Sequence, residues 1–110
     1  MEPGVLRKHG FFPTKDGAVK IPCEHIEYLL ASGQYCDIFL KDGTKYNTSY
    51  PMKEVLKKIP DENIVRISRS SCINLKAIES IDGNLVRIGS NTFTIGETYR
   101  DEVKSLFNLF

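Results

Sequence analysis

The sequence has no tryptophan, two histidines, three cysteines, and no apolar run near the ~20 residues that a membrane-crossing helix requires. Each shortage removes a class of protein. Cys23, Cys36 and Cys72 form no C-x-x-C pair and no ligand spacing with His9 or His25, so neither a metal site nor a disulfide framework is expected. Unpaired thiols of this kind fit a core as small apolar fillers in a reducing cytoplasm. No glycine-rich phosphate loop is present, since Gly83 and Gly89 fall in turns between strand-like segments. Neither histidine stands at a recognisable spacing from a nucleophile, and the carboxylates are scattered over turns and helix ends. Without an acid, base and nucleophile set, neither catalysis nor a cofactor is expected. An excess of one charge is missing too. Fifteen Lys and Arg stand against 14 Asp and Glu, which argues against an unspecific polyanion binder but not against one whose charge is locally arranged. Residues 1–10 lack the apolar run of a signal peptide and read as a short polar linker, leaving residues 11–110 as one domain.

What is present is a repeating rhythm of short apolar segments and turn residues. Asp16-Gly17, Asp42-Gly43 and Asp82-Gly83 each separate two such segments, which is a hairpin signal. Residues 11–15 and 18–21 flank the first pair. Residues 26–31 are apolar enough for a buried strand, although Leu29-Leu30 would also suit a helix. Residues 35–41 alternate, with Cys36, Ile38 and Leu40 on one side and Tyr35, Asp37 and Phe39 on the other. Residues 44–49 read as the returning strand. Then the period changes: Met52, Val55, Leu56 and Ile59 fall at helical spacing, with Pro51 in the first turn and Pro60 as the stop. Strands are expected again over 64–67, 72–75, 78–81, 85–88 and 92–95, with 68–71 as a polar break and Phe93 and Ile95 pointing inward. A final helix is expected from Tyr99 through Val103, Leu106, Phe107 and Phe110, capped by Thr98. The predicted fold is mostly β with short helices: small antiparallel sheets packed together, one internal helix and one C-terminal helix.

One segment carries candidate chemistry. From Ile64 to Ala77 the chain reads IVRISRSSCINLKA, holding Arg66, Arg69 and Lys76 with no acidic residue between Glu62 and Glu79. Ser68, Ser70, Ser71 and Asn74 are interleaved. These side chains contact phosphate oxygens and base edges, and the arginine fork pairs with guanine O6 and N7 together. On composition alone, a solvated loop between two strands is the favoured explanation, because three cations in fourteen residues is a modest enrichment. Val65, Ile67, Ile73, Ile78, Val86 and Ile88 around it are expected in the core.

The order Arg66, Ser68-Arg69-Ser70, Ile73-Asn74, Ile78 and Ile81 resembles the most diagnostic stretch of the LytTR DNA-binding domain family. Ile26-Glu27-Tyr28 followed by Gly33-Gln34-Tyr35 resembles an upstream segment and loop of that family. Residues 52–59 resemble its internal helix, and 93–103 its closing strand and helix. The likeness covers roughly residues 12–110. The resemblance implies a cytoplasmic DNA-binding domain of a bacterial transcription regulator; no membrane partner is expected, since no apolar run is long enough to span a bilayer. In such proteins this domain is commonly the output half of a two-component response regulator, joined to a receiver or sensor domain. It also implies that loops, rather than a recognition helix, enter successive major grooves of promoter DNA, with two copies per site.

Carried onto this chain, the resemblance implies three DNA-facing loops. Residues 32–35 would offer Gln34 or Tyr35, residues 68–71 would offer Arg69 for base reading, and residues 96–100 would offer the start of the last helix. Arg66, Ser70, Ser71 and Lys76 are expected on phosphates. Asn74 either meets DNA or ties down its own backbone. Two positions depart from the family pattern. Ser68 stands where a histidine is usual, and Glu97 stands where an arginine is usual. Phosphates repel a carboxylate, although it can accept a hydrogen bond from cytosine N4. Arg100, one turn on, either replaces the missing cation or pairs with Glu97. A β-rich protein-interaction or ligand-sensing module that has lost DNA binding is the competing reading.

Overall fold

The computed structural model describes residues 9–14 and 17–106, so Asp16 of the first expected turn and Phe107 and Phe110 of the last expected helix lie outside the described residues. The chain opens with β1 (His9–Thr14) and β2 (Gly17–Pro22), which pair antiparallel with each other. A five-stranded antiparallel sheet follows, built from β3 (Ile26–Ser32), β4 (Tyr35–Leu40), β5 (Lys45–Asn47), β6 (Ile64–Ser68) and β7 (Ser71–Asn74). Its order is β5-β4-β3-β7-β6. Helix α1 (Met52–Lys58) connects β5 to β6. A three-stranded sheet of β8 (Ser80–Asp82), β9 (Leu85–Ile88) and β10 (Asn91–Thr94) comes next, and α2 (Arg100–Leu106) closes the described chain.

The central sheet is covered on both faces, and this explains why β4 has few polar residues on either side. Cys36 and Ile38 are fully buried in a first core with Phe12, Ile21, Ile26, Leu29, Met52 and Val55, beneath the β1–β2 hairpin and α1. Phe39, on the opposite parity, packs into a second core with Tyr28, Ile67, Ile73, Val86, Ile88, Ile95 and Val103, beneath the small sheet and α2. Asp37 is buried on the same parity and its Oδ1 accepts from Asn47 Nδ2 at 2.7 Å. Strand β3 serves both cores through an irregularity: its register against β4 shifts between Ile26 and Tyr28, so Ile26 and Leu29 enter the first core while Tyr28 enters the second. Tyr28 stacks on Phe39 (ring centroids 4.6 Å apart) and tilts against Phe93 (4.8 Å), tying the two sheets together.

Residues 26–31 are therefore strand, and the helical alternative at Leu29-Leu30 does not form. The polar break narrows to Arg69 and Ser70, because β6 runs through Ser68 and β7 starts at Ser71. Leu75 leaves the strand for a 3-10 turn over Leu75–Ala77. Thr98 is not a helix cap: it sits inside a 3-10 turn (Glu97–Tyr99) that leads into α2, and Gly96 occupies the position before that turn. Helix α1 stops at Lys58 because Ile59 precedes Pro60 and is held extended. Ile95 is buried and Phe93 half-buried, both against the second core as expected.

The three thiols lie in the first core. Burial pushes Cys23 up to about 11 and Cys36 and Cys72 up to about 12, the last two against an opposing pull from Arg66. They are protonated filler at neutral pH, and no group of acidic, histidine or cysteine side chains among the described residues could hold a metal ion. Among the described residues no helix is long and apolar enough to cross a membrane.

Candidate nucleic-acid interface

The pairing of β3 with β7 decides which loops meet. Leu30 lies opposite Ser71, Leu29 opposite Cys72 and Tyr28 opposite Ile73, so the β3–β4 turn and the β6–β7 turn project from the same end of the sheet. A backbone bond beyond the strand pairing joins them: Ala31 N–H donates to the Ser70 carbonyl at 2.9 Å. The loop that follows β10 arrives at the same end, where Gly96 N–H donates to the Ile67 carbonyl at 2.7 Å. A β-carbon at Gly96 would stand 3.4 Å from Ser68 Cα, an ordinary contact, and 3.3 Å from the Tyr99 ring, which would have to give by a few tenths of an ångström. All three expected loops therefore form one edge of the molecule.

The β6–β7 turn at the centre of that edge is held from inside. Arg66 Nε donates to the Ser68 carbonyl (3.0 Å) and its Nη2 to the Arg69 carbonyl (2.6 Å). Ser70 N–H donates to Ser68 Oγ (3.2 Å), and the hydroxyls of Ser68 and Ser71 share a bond at 2.6 Å. The carbonyls of residues 68, 69 and 70 all accept from within the protein. The Arg69 side chain is left exposed, and among the described residues it meets no acceptor. A guanidinium presented on a clamped two-residue turn can meet a planar acceptor pair without ordering the loop backbone at the same time.

The neighbouring turn presents Gln34 and Tyr35, both exposed, with Tyr35 at 46%. Gly33 takes φ +62 there, a left-handed conformation that a side chain would strain. In the third loop Glu97 and Thr98 are exposed, while Tyr99 and Arg100 are half-buried. Glu97 and Arg100 form no ion pair: among the described residues the one such pair is Lys57–Glu54. Arg100 Nε is buried and has no hydrogen-bond partner among the described residues.

Four of the expected site residues take other places. Ser71 is buried, its hydroxyl turned to Ser68. Arg66 is half-buried and spent on the turn carbonyls. Asn74 is 1% exposed; its Nδ2 donates to the Ile26 carbonyl (2.8 Å) and its Oδ1 accepts from Lys76 N–H (2.9 Å). Lys76 lies past the other end of β7, in a hollow shared with Pro60, Asp61, Glu62 and Asn63. The structure brings Gln34, Tyr35, Arg69, Ser70 and Glu97 to one edge, with Ser68 and Arg100 half-buried behind it, and leaves Lys76 out. Sequence reasoning missed the two backbone staples at Ala31 and Gly96 altogether, because main-chain donors and acceptors carry no side-chain signature.

Comparison with known proteins bears on the fold and the family. The fold is similar to a solved structure from Bacillus cereus, the LytTr DNA-binding domain of a methyl-accepting/DNA response regulator. The two superpose with a TM-score of 0.78 at 18% identity, over 93% of this chain and 98% of that one. No curated protein matches the sequence. A family model, that of the LytTr DNA-binding domain, matches residues 16–108. The chain belongs to the LytTr DNA-binding domain family.

Proposed function

We propose that this domain binds duplex DNA sequence-specifically as the output part of a bacterial transcription regulator, reading promoter repeats through the loop edge. The observation that carries the reading is the pair of staples, Ala31 to Ser70 and Gly96 to Ile67, which hold three loops together around an exposed Arg69 side chain that meets no acceptor among the described residues. Arg69 reads a base edge, guanine by the chemistry of its fork, with Gln34 and Tyr35 beside it. Ser70 and the exposed turn backbone set position on phosphates. Arg66, Ser71 and Asn74 act through the scaffold rather than on DNA. Loops on one edge suit entry into major grooves of a duplex, and two domains per site would follow from a repeated target. A receiver or sensor domain in the same polypeptide would supply control.

Selection of bound sequences from a random duplex pool tests the reading. Enrichment of one motif containing guanine, with the logarithm of the binding constant falling linearly with the logarithm of salt concentration, is the expected outcome. A pool that stays random, or binding with no salt dependence, rejects it. The protein-interaction alternative draws its support from the exposed Glu97 on this edge, which has no ion-pair partner among the described residues, and the random pool is what that alternative expects.

A further inference from the structure

We infer that Glu97 is a specificity determinant that selects cytosine at the base pair faced by the third loop. This rests on the proposed DNA-binding function and goes beyond it by assigning a base to a residue. Glu97 is exposed, and among the described residues no cation or hydrogen-bond donor meets its carboxylate, Arg100 included. The Gly96 staple to Ile67 fixes the loop against the Arg69 turn, so a duplex that meets Arg69 also comes near Glu97.

An ionised carboxylate only accepts hydrogen bonds. Phosphates repel it, as do the acceptors N7 and O6 of guanine, N7 of adenine and O4 of thymine. The donors in a major groove are the amino groups, N4 of cytosine and N6 of adenine, and adenine places its N7 acceptor beside that donor. In a base pair, adenine N6 lies between its own N7 and thymine O4, whereas cytosine N4 has an acceptor on one side only, guanine O6 of its own pair, so cytosine is the base that repels a carboxylate least while donating to it. On any other sequence the charge loses water and gains nothing, so Glu97 works as much by exclusion as by attraction.

The test is binding-site selection with the wild-type domain, Glu97→Ala and Glu97→Gln, followed by titration of duplexes changed at one base pair. Wild type is expected to enrich cytosine at a position separate from the guanine read by Arg69. Replacing that cytosine should cost wild type roughly 5- to 150-fold in affinity. Glu97→Ala should lose this preference and bind scrambled duplexes more tightly. Glu97→Gln, whose amide both donates and accepts, should shift the preference to adenine. Both variants alter an exposed side chain, and a circular dichroism spectrum matching wild type checks their folding. If wild type selects a motif and both variants return the same motif with unchanged affinity, the inference fails while the DNA-binding reading stands. If wild type selects nothing, the reading itself fails and the inference goes with it.

Discussion

Arg69→Ala should weaken binding to the selected duplex by about 1–3 kcal/mol and erase the preference at one base pair, leaving the rest of the motif intact. The size follows from the geometry of the turn. Arg66 and the Ser68 hydroxyl already bond the backbone around residue 69, so truncating the side chain should not unfold the loop. The loss is then that of a bidentate base contact rather than of the scaffold. Titration of wild type and variant against duplexes that differ at each position in turn checks this. A uniform loss at every sequence would make Arg69 a phosphate contact. No loss at all would remove it from the interface.

Asn74→Ala should lower stability by about 2–4 kcal/mol while leaving sequence preference unchanged below the melting range. The side chain bridges segments 48 residues apart in sequence, donating to the Ile26 carbonyl from a position that is 1% exposed. Its removal leaves a buried carbonyl short of a donor and uncaps the 3-10 turn at Lys76. For a domain of this size such a loss corresponds to a melting temperature lower by roughly 10–20 °C. Thermal melts followed by circular dichroism read the first half of the expectation, and titrations at low temperature read the second. A variant that melts like wild type but loses one base preference would put Asn74 on DNA after all.

Both results turn on a distinction that the sequence shows only in part. The segment 64–77 announces itself by its arginines, serines and asparagine, and its composition does not separate those that face outward from those that build the turn. Strand pairing makes that separation. Because Leu30 sits opposite Ser71, Arg69 lies at one end of the sheet with Gln34, while Lys76 falls beyond the other end near Asp61 and Glu62. That register joins segments far apart along the chain, and it is fixed by packing of whole sheet faces rather than by local preference. The expectation that Lys76 sets position on phosphates is accordingly not carried into the proposed interface.

Elements with strong local signals were readable. The alternation of residues 35–41 yields β4, the i, i+3, i+4, i+7 spacing yields α1, and the Asp-Gly pairs at 42 and 82 yield turns whose glycines take positive φ. Alternation did not reveal that both faces of β4 are covered, since Phe39 and Asp37 on the second parity could equally have faced solvent. Nor did residue preference locate the helix start: Thr98 is a good cap by type, but the 3-10 turn places Arg100 first in α2.

The central claim is that residues 32–35, 69–70 and 96–100 form one DNA-facing edge. The most direct measurement is amide chemical-shift mapping of the domain as a selected duplex is added. The largest shifts should fall together on Gln34, Tyr35, Arg69, Ser70 and Glu97, with little change in the turn at Asp42-Gly43 or in the hollow around Asp61 and Lys76. Shifts concentrated at those last two places, with the Arg69 turn unmoved, would contradict the account.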